Sequence, residues 1–226
     1  MKKLVVLTGA GISAESGIQT FRDANGLWEG HDVMEVASPE GYKANPTLVL
    51  GFYNKRRKQL LEVSPNKAHF NLLKLETDFD VEIITQNVDD LHERAGSAKV
   101  THLHGELLKV RSSIDENDIL EWKKELVLGD LCRRNSQLRP HIVWFGEMVP
   151  MLEQAVEITQ KADILVIIGT SMQVYPAASL IDYVKPNTPI YFIDPKPSVS
   201  ENNYNNLTII EDVASSGTNK LIRLLS

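Results

Sequence analysis

Short apolar runs, each bounded by turn residues, recur along the chain and predict buried strands. They cover residues 3–8, 81–85, 142–145, 163–169, 189–194 and 207–210, with a weaker candidate at 99–104. Between them, apolar residues recur at helical spacing over residues 46–63, 65–76, 150–161, 174–184 and 214–225. Ser64 and Pro65 have the residue types of an N-cap and a first helical position. Strands that alternate with helices predict an α/β fold, with a doubly wound parallel sheet covered on both faces.

Two stretches interrupt this alternation. Residues 30–62 follow the first strand and loop without a second strand, and residues 106–139 are polar and charged, with a helix candidate at 115–127. We interpret both as insertions that pack together into a smaller module. The chain would then be one domain, 1–226, whose larger part comprises approximately 1–29, 63–105 and 140–226. A cleft between the two parts is the natural ligand site.

The composition limits the function classes. A 42% apolar fraction over 226 residues is enough for a sizeable core, and the net charge of -6 argues against nucleic acid as a partner. The first apolar run is too short for a signal peptide and no run reaches transmembrane length, so we expect a cytoplasmic protein with no membrane partner. Cys132 is the only cysteine, which excludes an internal disulfide and a zinc site with several cysteines.

The first strand leads into a glycine-containing loop. Gly9, Gly11 and Ala14 match G-x-G-x-x-[G/A], a spacing that lets backbone approach a pyrophosphate at a helix N-terminus. A glycine turn without any nucleotide is the alternative. The dehydrogenase form of the pattern also needs a second strand that ends in an acidic residue about twenty residues later, and no such strand is predicted. The loop favours a dinucleotide, but not a standard dehydrogenase.

A second loop leaves the strand at 163–169. Gly169, Thr170 and Ser171 offer backbone amides and hydroxyls at a strand's carboxyl end, where ligands of α/β proteins bind. Asp194 ends the next predicted strand, and its carboxylate could hold a ribose diol or simply cap a turn.

Residues 85–105 contain three of the six histidines. Zinc needs three or four ligands at compatible spacing, and His92, His102 and His104 have no cysteine near them. Proton transfer is therefore the better hypothesis. His104 is the candidate, because it stands at a strand end from which its ring could project into a cleft. Asn87 and Asp89 follow a strand end and could recognise a carboxamide. The alternative is that Asn87 and Asp89 cap the helix that starts near Asp90, and that His102 or His104 is a satisfied core histidine.

Five segments occur in an order that resembles the sirtuins, NAD-dependent protein-lysine deacylases. They are "GAGISAESGIQTFR" (9–22), "TQNVDDLHERAG" (85–96), "HLHGEL" (102–107), "RPHIVWFGE" (139–147) and "GTSMQVYPA" (169–177), and the resemblance runs from about residue 4 to 225. It implies a Rossmann-like domain with a small inserted module, and NAD consumed as co-substrate. The residues implied to bind NAD are Gly9, Ala10, Gly11, Ser13, Phe21, Arg22, Trp28, Gln86, Asn87, Asp89, Gly169, Thr170, Ser171, Asp194 and Ala214. Many sirtuins have Asn at the position of Asp194.

The resemblance also implies the chemistry. His104 matches the catalytic base, and the products would be free lysine, nicotinamide and O-acyl-ADP-ribose. Acyl-lysine proteins or peptides would be the partners, bound along Val143, Phe145 and Gly146. The sequence does not predict an oligomeric state.

The stretch "EVASPEGYKANPTLVLGFYNKRR" (35–57) resembles the sirtuin branch that removes succinyl, malonyl or glutaryl groups. In that branch a Tyr-x-x-Arg pair binds the distal carboxylate, which here implies Tyr53 and Arg56, with Ala37 leaving room for the acyl chain. The alternative is a solvated basic helix face formed by residues 55–58. Acetyl-lysine stays possible as a substrate.

One departure from the resemblance concerns a structural zinc, which most sirtuins hold with two cysteine pairs. Ser112 and Ser113 stand where a first cysteine would be expected, and we predict no zinc. Packing is expected to replace it, with the candidates Ile114, Ile119, Leu120, Trp122, Leu126, Leu128 and Leu131. The alternative functions are an NAD-dependent mono-ADP-ribosyltransferase and a non-enzymatic sensor of NAD or ADP-ribose.

Overall fold

A parallel six-stranded sheet forms the larger part of the computed structural model, which describes residues 1–19, 27–28, 30–200 and 204–226. Its strands are β1 (Lys2–Thr8), β4 (Phe79–Thr85), β5 (Val100–His102), β9 (Ile164–Ile168), β10 (Ile190–Ile193) and β11 (Leu207–Ile210). They lie in the order β11-β10-β9-β1-β4-β5, and every neighbouring pair is parallel. The α/β prediction is confirmed, because these strands are the apolar runs that the sequence marks as buried.

Helices cover both faces of this sheet. They are α4 (Lys67–Leu75), α5 (Leu91–Ala95), α6 (Leu152–Gln160) and α7 (Ala214–Leu225), with a 3-10 helix at Ala177–Tyr183. Leu4 and Val6 of β1 pack towards α4 and α7, whereas Val5 and Leu7 pack towards α6 and the 3-10 helix. The alternation follows from the two-residue period of a strand, and it makes the sheet the centre of the core.

Helix α4 begins later than the sequence predicts. Its N-cap is Asn66, whose side chain accepts from the Ala68 N–H, while the His69 ring accepts from the Asn66 N–H. This capping box satisfies two amide groups of the first turn. Ser64 and Pro65 therefore precede the helix, and the prediction that they start it is wrong.

The smaller module is built from two separate stretches. The first contains a two-stranded pair, β2 (Leu27–Trp28) with β3 (His31–Asp32), followed by α1 (Val33–Val36), α2 (Pro39–Ala44) and α3 (Pro46–Glu62). The second forms an antiparallel sheet in the order β7-β6-β8, from β6 (Gly105–Ser112), β7 (Ile119–Glu121) and β8 (Leu138–Ile142). The module thus includes residues 140–142, which the sequence assigns to the larger part.

Two predictions in the second stretch are wrong. No helix lies in 115–127: Asp115 accepts from the Asn117 N–H and starts a turn, and β7 follows. The strand predicted over 142–145 ends at Ile142, because the Trp144 N–H is taken by the Glu147 carboxylate rather than by a neighbouring strand. Among the helices that the structure describes, none is both long and apolar enough to cross a membrane.

Candidate functional site

The two glycine loops meet where the sheet changes direction. Strands β1 and β9 are neighbours, but the chain continues from β1 towards β4 and from β9 towards β10, so a crevice opens at their carboxyl ends. The Gly11 N–H donates to the Gly169 carbonyl oxygen at 2.8 Å. A Cβ on Gly11 would lie 2.5 Å from the Gly169 Cα, and one on Gly9 would lie 2.8 Å from the Gly169 oxygen. Only glycines allow this approach.

The loop after β1 does not lead into a long helix. Two short 3-10 turns, Ala10–Ile12 and Ala14–Ser16, follow instead, so the helix N-terminus expected behind the glycine pattern is not formed there. The glycines instead bring the two loops into contact beside the switch point, the edge of the sheet at which dinucleotides bind in α/β proteins. Phe21 and Arg22 lie outside the described residues.

Ser13, Asn87 and Asp89 form a buried polar cluster beside Gly9. The Asn87 amide nitrogen donates to the Gly9 carbonyl and to the Ser13 hydroxyl, both at 3.2 Å, and the Ser13 hydroxyl donates to Asp89 at 2.9 Å. Asp89 also accepts from the Leu91 N–H. Burial raises the pKa of Asp89 to about 6, against the effect of those two hydrogen bonds. Asn87 is therefore held with its amide orientation fixed.

Gln86 connects β4 to the second glycine loop. Its side chain donates to the Thr170 hydroxyl at 3.0 Å. Asp194 accepts from the Lys196 N–H at 2.8 Å, so the turn cap that the sequence offers as an alternative is present.

The other residues implied for NAD binding lie in different elements. Ser171 follows Thr170 in the second glycine loop, and Ala214 begins α7. Trp28 lies instead in the module.

The three histidines of residues 85–105 have different surroundings. His102 has an acceptor at each ring nitrogen, the Asn87 carbonyl at 3.0 Å and the Glu93 carboxylate at 2.7 Å, so both nitrogens carry protons. Burial opposes that charge, but the hydrogen bond to Glu93 and the carboxylate's charge raise the pKa of His102. His102 is therefore a paired cation and cannot accept a proton.

His104 has one ring nitrogen engaged. Its Nδ1 lies 3.0 Å from the Gln86 carbonyl oxygen, which can only accept, so Nδ1 carries the proton and Nε2 is left as a base. Burial lowers the pKa of His104, and the hydrogen bond to Gln86 works against that shift. Gly105 follows with a φ of +82°, and a Cβ there would lie 2.1 Å from the His141 oxygen. The glycine lets β8 pass close to the base.

His92 belongs to a buried hydrogen-bond chain that the sequence did not suggest. Its Nε2 lies 3.1 Å from the Thr8 hydroxyl, which donates to the Thr85 hydroxyl at 2.8 Å. Thr85 in turn accepts from the Asn87 N–H at 3.0 Å. The sequence feature that could have indicated this chain is the pair of threonines at the carboxyl ends of two buried strands. The hydrogen bonds place His92 behind the polar cluster, which it supports.

The segment at residues 143–146, the substrate segment, joins the base to the module. The Val143 N–H donates to the His104 carbonyl and the Phe145 N–H donates to the Ala37 carbonyl, both at 2.9 Å. The Phe145 side chain is exposed, and Gly146 has a φ of +90°. The residues implied for substrate binding are thus brought together next to His104.

Tyr53 and Arg56 lie on α3, one turn apart. Tyr53 is buried in the module core, and its hydroxyl oxygen accepts from the Trp144 indole at 2.9 Å. The Arg56 guanidinium lies 3.9 Å from the centre of the Phe52 ring and donates to the Phe52 carbonyl. Trp28 packs edge-on against Tyr53, with ring centres 6.1 Å apart.

A solvated basic face does not describe this helix. Arg57 is 1% exposed, donates to the Leu107 carbonyl and to Asn54, and has a pKa lowered to about 10 by burial. Lys55 and Lys58 are exposed. The basic run therefore does not form one solvated face, because Arg57 points into the core.

The residues around Cys132 do not fit a zinc ion. Ser112 donates to the Cys132 sulfur at 3.3 Å, and Ser113 shares a hydrogen bond of 2.6 Å with Ser136. One thiol and three hydroxyls are not the Cys/His set that structural zinc uses. Within the described ranges, no group of three or more His, Cys, Asp or Glu is placed to hold a metal ion.

Packing in that region differs from the prediction. Leu126 is buried with Leu50, Val110, Cys132 and Leu138, and Leu120 and Trp122 pack against this cluster. The other candidates are exposed: Ile114, Ile119, Leu128 and Leu131.

Comparison with known proteins agrees with this arrangement. The chain is 65% identical over 196 residues to an NAD-dependent protein deacylase of Helicobacter pylori, covering 87% of this chain and 86% of that protein. It is 56% identical over 231 residues to an NAD-dependent protein deacylase of Bacteroides thetaiotaomicron, covering 100% and 98%.

Solved structures give the same result. A Sir2 homolog–NAD complex is 40% identical, with a TM-score of 0.88, covering 99% of this chain and 89% of that one. A Sir2 protein bound to acetylated peptide is 27% identical, with a TM-score of 0.80, covering 98% and 92%. The sequence pattern of the Sir2 family matches residues 9–176. The chain belongs to the Sir2 family, the sirtuins.

Proposed function

We propose that this protein removes acyl groups from lysine side chains with consumption of NAD, and that it favours acyl groups ending in a carboxylate, such as succinyl, malonyl or glutaryl. The observation that carries the activity is the hydrogen bonding of His104. A neutral imidazole with Nδ1 fixed and Nε2 available can accept a proton near neutral pH. The deacylase relatives and the NAD-bound neighbour support the same reaction class.

The site's residues divide the work. NAD would supply an electrophilic ribose carbon from which nicotinamide can leave. The glycine loops would hold its phosphates through backbone groups, and Asn87, Asp89 and Ser13 would hold the nicotinamide ribose and carboxamide. His104 Nε2 would take the proton from the ribose hydroxyl that receives the acyl group. Positioning and exclusion of water then account for much of the remaining acceleration.

The acyl preference is argued from α3. Tyr53 provides a hydroxyl, and Arg56 provides a permanent positive charge one turn away on the same helix face. Together they form the carboxylate clamp. Ala37, which is small and buried, accepts from the Phe145 N–H, and Tyr53 accepts from the Trp144 indole. Both contacts are with the substrate segment, so the clamp lies next to the place where acyl-lysine would bind. An acetyl group would not reach both clamp residues but could still react.

The test is a mass-spectrometric assay on one peptide that carries either succinyl-lysine or acetyl-lysine, with and without NAD. The substitution Arg56→Met should raise KM for the succinyl peptide by about 10- to 100-fold, because it removes a hydrogen bond to a charged group. The acetyl peptide should be affected little. Lys55→Met is the matched control, since it removes one exposed charge from the same helix turn.

The outcomes separate the parts of the proposal. NAD-dependent loss of acetyl alone would keep the deacylase and eliminate the clamp. Transfer of ADP-ribose to protein without deacylation would favour the mono-ADP-ribosyltransferase alternative. NAD binding without turnover of either peptide would favour a sensor.

A further inference from the structure

Trp144 and Tyr53 share a hydrogen bond whose direction is fixed by chemistry. An indole N–H can only donate, so the Tyr53 oxygen accepts at 2.9 Å and the phenol proton is left for another acceptor. The side chains are 2% and 1% exposed, and none of the described residues accepts that proton. A buried donor without an acceptor is unfavourable by about 1–3 kcal/mol, so this proton is suited to meeting a ligand oxygen.

We propose that Trp144 is a positioning residue for acyl selectivity, which fixes the Tyr53 hydroxyl with its proton directed at the carboxylate end of the substrate acyl group. Because the indole occupies one side of the phenol oxygen, the O–H bond is turned to the other side. This inference rests on the proposed function, since it requires the carboxylate clamp.

Trp144 is itself held on three sides. The Arg139 guanidinium lies 3.4 Å from the centre of its ring, and the Glu147 carboxylate accepts from Arg139 at 2.6 and 3.1 Å. Glu147 also accepts from the Trp144 N–H at 2.8 Å, and the Tyr42 ring lies 5.2 Å away. The indole therefore has one orientation, and the orientation of the Tyr53 hydroxyl follows from it.

The protonation state of the phenol agrees with a donor role. Burial raises the pKa of Tyr53 well above its ordinary value, while the Trp144 hydrogen bond and the charge of Arg139 act in the other direction. The phenol keeps its proton throughout the neutral range. A hydrogen bond from this phenol to a carboxylate has a charged acceptor, so it is stronger than a hydrogen bond between two neutral groups.

The first test is a double-mutant cycle on the full-length enzyme with Trp144→Phe, Tyr53→Phe and the double variant. We expect Tyr53→Phe to raise KM for the succinyl peptide by about 10- to 100-fold, the value of a hydrogen bond to a charged group. Trp144→Phe should raise it by about three- to tenfold, because the hydroxyl stays but loses its fixed direction, and kcat should be nearly unchanged in both. The acetyl peptide should change by less than about twofold. The double variant should be no worse than Tyr53→Phe alone, because there is then no hydroxyl to orient.

Other outcomes would overturn the inference. If Trp144→Phe weakened both peptides equally, or if its effect added to that of Tyr53→Phe, Trp144 would have only a packing role. If Trp144→Phe had no effect while Tyr53→Phe did, the clamp would stand without Trp144. If neither Tyr53→Phe nor Arg56→Met changed the preference for succinyl over acetyl, the clamp itself would fall, and this inference with it.

A second measurement does not depend on the folding of Trp144→Phe. The chain has three tryptophans, so the Trp144 indole N–H signal in ¹⁵N-labelled protein can be assigned from the signals lost in Trp28→Phe and Trp122→Phe. A phenol that donates to a carboxylate becomes a better acceptor, so the signal should move downfield on adding succinyl peptide and not with acetyl peptide. An unchanged signal at saturating succinyl peptide would contradict the proposal.

Discussion

His102 and His104 are two residues apart, yet their surroundings shift their pKa values in opposite directions. Both rings lose hydration, but His102 also meets the Glu93 carboxylate, whereas His104 meets only the neutral Gln86 carbonyl. One becomes a structural cation and the other a base. The sequence singled out His104 through its position before Gly105 and through the family resemblance. The opposite pKa shifts could not be predicted from it, because the partners of the two rings come from other parts of the fold.

The lowered pKa of His104 predicts a pH profile. The ring accepts a proton only when neutral, so kcat should be constant at neutral pH and fall as the pH drops through the folded-state pKa, below the ordinary 6.5. Initial rates at saturating NAD and peptide should show this, with circular dichroism confirming the fold at each pH. A fall that begins well above 6.5 would instead point to His102, whose pKa is raised.

At the scale of elements, the connection from β5 to β6 depends on Gly105. Its positive φ turns the chain directly after His104, and its missing side chain leaves room for the backbone of β8 at His141. The sequence shows a glycine after a histidine, which indicates a turn. The close approach of β8 cannot be deduced from it, since that strand is more than thirty residues further along the chain.

Gly105→Ala should destabilise the protein and reduce its activity. Left-handed backbone strain of about 1–3 kcal/mol adds to the clash with His141, which predicts a decrease in melting temperature of at least about 4 °C. The control is Gly51→Ala within α3, where a new Cβ meets nothing within 4 Å and the helix should become slightly more stable. Equal melting temperatures for both variants would contradict the role given to Gly105.

Elements were predictable where burial alone decides them. Strand β9 of the large sheet is a continuous apolar run that is buried at every position. The predictions fail where a side chain competes for the backbone: Glu147 takes the Trp144 N–H beyond β8, and Asp115 takes the Asn117 N–H before β7. The sequence does not show which carboxylate will lie close enough to a given backbone N–H to accept from it, so these strand ends and turns could not be predicted.

At the scale of the whole molecule, the candidate site exists only in the folded chain. Asn87 binds the carbonyl of Gly9 across 78 positions, and Gln86 binds Thr170 across 84. Taken alone, the first glycine loop favoured a dinucleotide, and the second loop fitted either a ligand site or a turn cap. Their order along the chain made the grouping predictable through the family resemblance, and the geometry explains it: the loops follow adjacent strands and meet at one edge of the sheet.

The module should keep its fold without a metal ion. Its closing contacts are apolar packing of Leu50, Val110, Leu126 and Leu138 around Cys132. A structural zinc site contributes directly to folding, so its removal by a chelator would lower the melting temperature. We therefore expect EDTA and 1,10-phenanthroline to leave both the melting temperature and NAD-dependent deacylation unchanged, and elemental analysis to find much less than one zinc per chain.

Cys132→Ser completes this test. The sulfur accepts one hydrogen bond from Ser112 and otherwise packs among apolar side chains. Replacing it by a hydroxyl should therefore lower the free energy of unfolding by about 1–2 kcal/mol, which corresponds to a decrease of a few degrees in the melting temperature. The value of kcat should be unchanged. Stoichiometric zinc in the purified protein, together with its loss in Cys132→Ser and a large decrease in melting temperature, would show that Cys132 is a metal ligand and that the module is not held by packing alone.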